Sequence, residues 1–253
     1  MTTTFLSDAD LTRLKTQYPG LDRCPTCRDK GHFTWDGEER TCDCDRQRRL
    51  HVQYLHAGIG VTYQRLMWSD FTGPGTLLDP FLDYIDNAEA YIDRGIGLFI
   101  SGPVGTGKTM LANLVLKELV KRGYKCNATT FSSTVEAFTA GWNSQEEKQR
   151  FAERFMYSEV LLLDDMGKEF RRQNGLHQTT FDHILRTRVQ AGRPTLLTTN
   201  MTPQEVKTGY GAAVLSLLVE QSIEILLPGE DFRPTAHDRT VAEVRSKEVR
   251  PIV

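Results

Sequence analysis

Residues 102–109 read Gly-Pro-Val-Gly-Thr-Gly-Lys-Thr and satisfy the pattern G-x-x-x-x-G-K-[ST] in full. This octapeptide limits the fold more than any other stretch, because the pattern works as a turn that leaves a buried strand and opens a helix. Both neighbours are legible. Leu98-Phe99-Ile100-Ser101 reads as the strand, and Lys108 to Arg122 reads as the helix, stopped by Gly123. Gly105 and Gly107 let the backbone curl so that its N–H groups face phosphate oxygens, and the helix N-terminus adds partial positive charge. Lys108 is then placed to reach the β- and γ-phosphates of ATP, and Thr109 to ligate Mg²⁺. Gly102, Pro103, Val104, Thr106 and Met110 complete the candidate nucleotide-binding stretch.

A phosphate loop of this kind works with an acid at the end of a neighbouring strand. Val160-Leu161-Leu162-Leu163-Asp164-Asp165 supplies it, four apolar residues and then two carboxylates. Asp164 is the candidate Mg²⁺ ligand, directly or through water, and Asp165 the candidate for orienting or deprotonating the attacking water. A further strand, Leu196-Leu197-Thr198-Thr199-Asn200, ends in an amide; beside the acidic strand, Asn200 would stand next to the γ-phosphate. Thr-Thr-Asn is also good turn material, so its order after the other two motifs carries this reading. Strands are expected at 124–130, 159–164, 195–199 and 222–227, and helices at 80–93, 133–157, 177–191 and 203–220. That alternation makes an α/β P-loop domain, a mostly parallel sheet flanked by helices.

Four of the five cysteines fall in residues 21–45, as Cys24-x-x-Cys27 and then Cys42-x-Cys44. The first residues lack the basic-then-apolar pattern of a signal peptide, and no apolar run is long enough for a bilayer. A cytoplasmic location with no membrane partner is expected, and reduced thiols there point to metal rather than disulfides. A turn-rich segment with little apolar material needs a staple to fold, and two close pairs can wrap one tetrahedral Zn²⁺. His32 and His51 stay open as substitute ligands, and an iron–sulfur cluster as a lesser alternative. Cys126, apart from the rest, reads as a small buried hydrophobe. The net charge of −2 does not exclude nucleic acid, because a local basic patch is enough.

The expected organisation is a zinc-binding module over 1–57, a linker over 58–75, an ATPase domain over 76–233, and a charged, loose tail over 234–253. In the first twenty residues Leu6, Leu11 and Leu14 can share one helical face. Gly73-Pro74-Gly75 is a strong breaker at the end of the linker.

In chain order the sequence holds CPTCRDKG, CDC, a basic helical stretch with Arg46, Arg48 and Arg49, WSDF at 68–71, GPVGTGKT, LLLDDMG and TTN. The series resembles the bacterial and phage helicase loaders of the DnaC/DnaI type, AAA+ proteins that also include the IstB transposition helpers. The resemblance covers nearly the whole chain to about residue 233. Asp164, Asp165 and Gly167 are more specific than a generic acidic strand, and the cysteine module in front points to loaders. What the resemblance implies is an AAA+ fold and an N-terminal module that grips the hexameric replicative helicase. It also implies an ATP-dependent spiral or ring of copies that places the helicase on single-stranded DNA and lets go on hydrolysis.

One position departs from the pattern. Such loaders carry an arginine in a segment like S-R-L-V-E, where this chain has Ser216-Leu217-Leu218-Val219-Glu220. Leu217 in that place implies weak hydrolysis or another arginine, with Arg233, Arg171 and Arg172 as candidates. Lys168, Arg171 and Arg172 are also candidate contacts to DNA phosphates. Phe131, Phe138 and Trp142 fall in a region that contacts single strands in this clade, with core packing the better reading for Phe138. The rival functions are an IstB-like transposition helper and a nucleotide-switched adaptor with little hydrolysis. A DNA-reading zinc finger is disfavoured by the short cysteine spacing.

Overall fold

The computed structural model describes residues 8–18, 21, 23–140, 144–167 and 175–253. They form two compact units. One joins the residues up to His56 with Gly60–Met67 and Arg233–Val253; the other holds Ala57–Ile59 and Trp68–Phe232.

The first unit begins with helix α1 (Asp8–Gln17) and an antiparallel hairpin, β1 (His32–Trp35) and β2 (Glu38–Thr41). Asp36 and Gly37 both take positive φ, 51° and 77°, the turn chemistry of a two-residue hairpin. Helix α2 (Cys44–His56) buries Leu50, Val52 and Tyr54, and the short helix α3 (Val61–Gln64) follows.

The second unit is built on a five-stranded sheet. Its elements are α4 (Asp79–Asp86), α5 (Ala88–Asp93), β3 (Gly97–Ser101), α6 (Lys108–Lys121), β4 (Cys126–Thr130), α7 (Phe131–Ala140), α8 (Gln145–Phe151), β5 (Val160–Met166), α9 (Leu176–Gln190), β6 (Thr195–Thr199), α10 (Pro203–Tyr210), α11 (Ala212–Glu220) and β7 (Ser222–Leu226). The strand order is β4-β5-β6-β3-β7, and every pairing is parallel. A parallel sheet covered on both faces explains the unbroken apolar run of β5. Leu161 and Leu163 face one core with Phe99, Leu197, Phe131 and Phe181, while the alternate residues Val160 and Leu162 are equally buried on the other face. Arg188 on α9 is fully buried. Its guanidinium donates to the carbonyls of Phe155, Ser158, Glu159 and Pro194, tying the approaches to β5 and β6 together.

The structure departs from the sequence expectations in six places. The helix expected over 133–157 is divided: α8 starts afresh behind Ser144, whose hydroxyl caps it by accepting the Glu147 N–H at 3.0 Å. The helix expected over 80–93 breaks at Asn87, whose side-chain amide donates to Asp83 O at 3.1 Å and so competes for a carbonyl of the helical ladder. The helix expected over 203–220 breaks at Gly211, at φ 96°. The acidic strand β5 is not adjacent to the phosphate-loop strand β3, because β6 lies between them. The linker over 58–75 is divided: Ala57–Ile59 joins the second unit, where Ala57 accepts a 2.7 Å bond from the Ala128 N–H, and Gly60–Met67 belongs to the first.

The tail is ordered. Arg233–Ser246 forms helix α12, and residues 248–253 pack on the cysteine-bearing unit, where Ile252 is 2% exposed. The high charge of this region hides a few anchors at its end, and those few residues decide its packing. Among the described residues no helix is long and apolar enough to cross a membrane.

Candidate nucleotide and metal sites

All three motifs of the phosphate site emerge at the C-terminal edge of the parallel sheet, after β3, β5 and β6, where open α/β sheets bind their ligands. The loop 102–107 is held tightly. Gly105 takes φ 82°, and a Cβ there would meet Asp231 Oδ1 at 1.9 Å, so no side chain fits. The Phe232 N–H donates to Gly105 O at 3.1 Å, and Phe232 stands edge-on to Phe71, 6.3 Å between centroids. Phe71 in turn lies over Gly107. The WSDF segment therefore packs against the phosphate loop, a contact that its reading as a linker missed.

The Lys108 amine donates to Gly102 O at 2.9 Å and Pro103 O at 2.5 Å, within the loop's own concavity. Thr106 Oγ1 also donates to Pro103 O. Thr109, in the first turn of α6, donates its hydroxyl to Asp164 Oδ1 at 2.8 Å. Thr198 donates to the same oxygen at 2.6 Å and accepts the Asp165 N–H at 2.9 Å. One hydroxyl on the intervening strand thus holds the Asp164 carboxylate and the Asp165 backbone. Asp165 stands at φ 61° beside an irregularity in the β5–β6 register; aspartate is among the residues that tolerate this left-handed backbone. Thr199 donates to Met166 O at 2.8 Å and pins the end of the acidic strand. Asn200 is exposed one residue beyond β6. Val104 and Pro103 are exposed at the loop tip, and Met110 is half-buried. The sequence signal for Thr198 is slight, a threonine at the buried end of a strand, and the sequence assigns it to that strand with no role in the site.

The second cluster is chemically distinct. The Sγ atoms of Cys24, Cys27, Cys42 and Cys44 all lie within 4.8 Å of one another. Cys24 and Cys42 are 3.6 Å apart and Cys27 and Cys44 3.2 Å, close to the ~3.8 Å between sulfurs that share a tetrahedral Zn²⁺. The Gly31 N–H points at Cys27 Sγ at 3.3 Å. Burial pushes the Cys42 and Cys44 thiols up. At Cys27 the hydrogen bonds from Cys44 and the Gly31 N–H outweigh burial and bring the pKa to about 7, whereas Cys44 is pushed up to about 12. A donor set of four converging sulfurs fits one soft tetrahedral ion, and the cluster fits a small zinc-binding module. A multi-iron cluster would hold its thiolates farther apart. The two histidines stay outside: His51 Nδ1 is 2.6 Å from Gln64 Oε1, and His32 lies on the exposed hairpin beside Glu39.

The profile of the family described as IstB-like ATP binding protein matches residues 81–234. The chain belongs to this family. Its relatives include an insertion-sequence ATP-binding protein of Mycobacterium tuberculosis, 27% identical over 65% of this chain and 66% of the relative. The replicative helicase loader DnaI of Bacillus subtilis is 26% identical over 64% of this chain and 51% of its own length. The chain thus spans about half to two thirds of these relatives. The crystal structure of the DnaC helicase loader shares the fold, with a TM-score of 0.58 at 21% identity, over 66% of this chain and 99% of that one.

Within the IstB-like domain the remaining candidates separate. Leu217 on α11 is half-buried and packs against the core cluster, as a leucine there should. Arg233 is exposed and is the first residue of α12, directly after the Phe232 that bonds the phosphate loop. Phe131 is 0% exposed and packs edge-on against Phe181 at 5.4 Å, which removes it as a base-stacking candidate. Phe138 packs on Phe151 at 5.4 Å, also core. Lys168, Arg171, Arg172, Trp142 and Leu6 lie outside the described residues.

Proposed function

We propose that the chain is an ATP-dependent loader that binds the hexameric replicative helicase and places it on single-stranded DNA. The observation that supports this best is the pairing of a four-thiol module with an IstB-like ATP domain in one chain. The helicase loader among the relatives points the same way.

In this reading the loop N–H groups receive the triphosphate, and Lys108 shifts from Gly102 O and Pro103 O to the β- and γ-phosphates. Thr109 and Asp164 hold Mg²⁺, which when bound neutralises phosphate charge. Asp165 orients the attacking water, and Asn200 stands beside the γ-phosphate. With leucine at 217, an arginine such as Arg233, or Arg171 or Arg172, completes the site on a neighbouring copy in an ATP-dependent oligomer. Cys24, Cys27, Cys42 and Cys44 hold Zn²⁺ and so shape the module that grips the helicase. Such a protein works in the cytoplasm.

A second reading, a transposition helper, is favoured by the insertion-sequence relative. Pull-down of the host's replicative helicase with the full chain, beside a Cys24→Ser/Cys27→Ser variant, separates the two. Capture by the wild type and not by the variant supports the loader. Failure of both, with ATP still bound, moves the assignment to the transposition helper, whose transposase then becomes the bait. No ATP turnover with DNA and helicase present supports a nucleotide-switched adaptor.

A further inference from the structure

The cysteine-bearing unit holds a short peptide, and the peptide is its own. Residues 248–253 cross this unit after α12, and most of their bonds run through main-chain atoms. The side-chain amide of Gln47, itself 5% exposed, pairs with both backbone groups of Ile252: Nε2 donates to Ile252 O at 2.9 Å, and Oε1 accepts the Ile252 N–H. Thr26 Oγ1 donates to the same Oε1 at 2.8 Å and locks the amide's orientation. Tyr54 donates its hydroxyl to Val253 O at 2.8 Å, the Val253 N–H reaches Gln64 O at 3.2 Å, and the Val249 N–H reaches Thr34 O at 3.2 Å. Three side chains add selectivity: the Glu248 carboxylate accepts the Asp36 N–H at 2.8 Å, and Arg250, which also pairs with Glu243 of α12 at 2.9 Å, and Ile252 supply the rest. Ile252 is 2% exposed, and the Arg250 guanidinium lies 4.8 Å over the Trp35 ring.

Recognition through main-chain groups, with a few side-chain pockets, is how proteins bind peptides of varied sequence. We propose that this surface is a peptide-binding seat, and that the segment 248–253 is its resident occupant. The ligand it takes is a partner's peptide with a basic residue two places ahead of an aliphatic one, as in Arg250-Pro251-Ile252. In the free protein the tethered segment blocks the seat, because a tether holds it at an effective concentration on the order of millimolar. A partner gains access by displacing it. The inference stands whether or not the partner is a helicase.

The test uses the full chain with a protease site placed between Ser246 and Lys247, cut after folding. Uptake of a fluorescent peptide of residues 247–253 is read by anisotropy, with zinc content measured alongside. The cut protein should bind at least about tenfold more tightly than the intact one, because a seat filled in cis lowers apparent affinity by the free fraction. Peptides carrying Arg250→Ala or Ile252→Asp should fail to bind, and Gln47→Leu in the protein should abolish uptake. An uncut Ile252→Asp chain should bind the wild-type peptide more tightly than the uncut wild type does. The proposal is overturned if the cut, zinc-loaded protein takes up no peptide. It is equally overturned if the segment leaves only with loss of zinc, for then it is a structural staple and not a ligand.

Discussion

Thr109 and Asp164, 55 residues apart in sequence, meet in a 2.8 Å hydrogen bond, although β6 lies between Asp164's strand β5 and the strand β3 that leads into the phosphate loop. The strand between them contributes Thr198, whose hydroxyl reaches the same carboxylate oxygen at 2.6 Å. The acid that would bind Mg²⁺ is therefore oriented from both sides before any nucleotide arrives. Replacing Asp164 by Asn should leave ATP binding within a few-fold and remove turnover. Thr198→Val keeps the shape and deletes one orienting bond, so Mg²⁺ affinity should fall about 10- to 100-fold, as when other partners of metal ligands are removed. Mg²⁺ titration of ATPase rate measures this. An unchanged half-saturating Mg²⁺ in Thr198→Val would mean the hydroxyl has no part in the site.

The phosphate loop, the acidic strand and the four cysteines were legible because each motif needs fixed residue types at fixed spacing. The parallel α/β fold was legible from the alternation of apolar strand and helix. Thr198 was not, since its role depends on strand order, and nothing local says that β6 inserts between β3 and β5. The contact of Phe71 with Gly107 was hidden for the same reason: it joins residues far apart in sequence. The break at Asn87 escaped because a side chain competing with the backbone hardly changes the helical pattern. The 248–253 segment was misread as loose because its anchors, Arg250 and Ile252, are few, and overall charge weighed against them.

Gly105 offers a test of the loop's geometry apart from its chemistry. Its φ of 82° disfavours any side chain, and the nearest obstacles include the Asp231 Cα at 2.8 Å, which is backbone and cannot swing away. Gly105→Ala should lower stability by about 1–3 kcal/mol, the usual cost of a forced backbone conformation. It should also weaken ATP binding at least about tenfold, because the loop must move to make room. Thermal unfolding and nucleotide titration check both. A variant with wild-type affinity would show that the loop adopts another conformation around phosphate.

Zinc removal should act on one unit and spare the other. The cysteine-bearing unit has a small apolar core, so the metal supplies much of its folding free energy, on the order of 10 kcal/mol for a structural zinc. The second unit has its own sheet and core. Chelation, or Cys24→Ser/Cys27→Ser, should release about one equivalent of zinc, in keeping with one tetrahedral site. It should also unfold the hairpin β1–β2 and leave ATP affinity unchanged. Amide exchange resolves the two regions. Loss of protection in β3, β5 and β6 on chelation would contradict the independence of the units.

Lys117 predicts a pH dependence. It lies in α6, 1% exposed, and burial, aided by Lys121, lowers its pKa to about 7 from the ordinary 10.5, against the opposing pull of Glu118 and Asp70. Between those two values the unfolded chain holds a proton that the folded chain does not, so unfolding takes up protons and stability rises with pH. Below about pH 7 both states are protonated and the full penalty of burying the cation remains. The slope through the window should approach about 1.4 kcal/mol per pH unit. In Lys117→Met that slope should vanish, and the variant should gain most over the wild type near pH 6. Urea unfolding at pH 6, 8 and 9.5 gives the slope directly, without relying on absolute stabilities that the neighbouring Asp70 also affects. Equal slopes in the two proteins would place the lysine's amine in contact with water in the folded state.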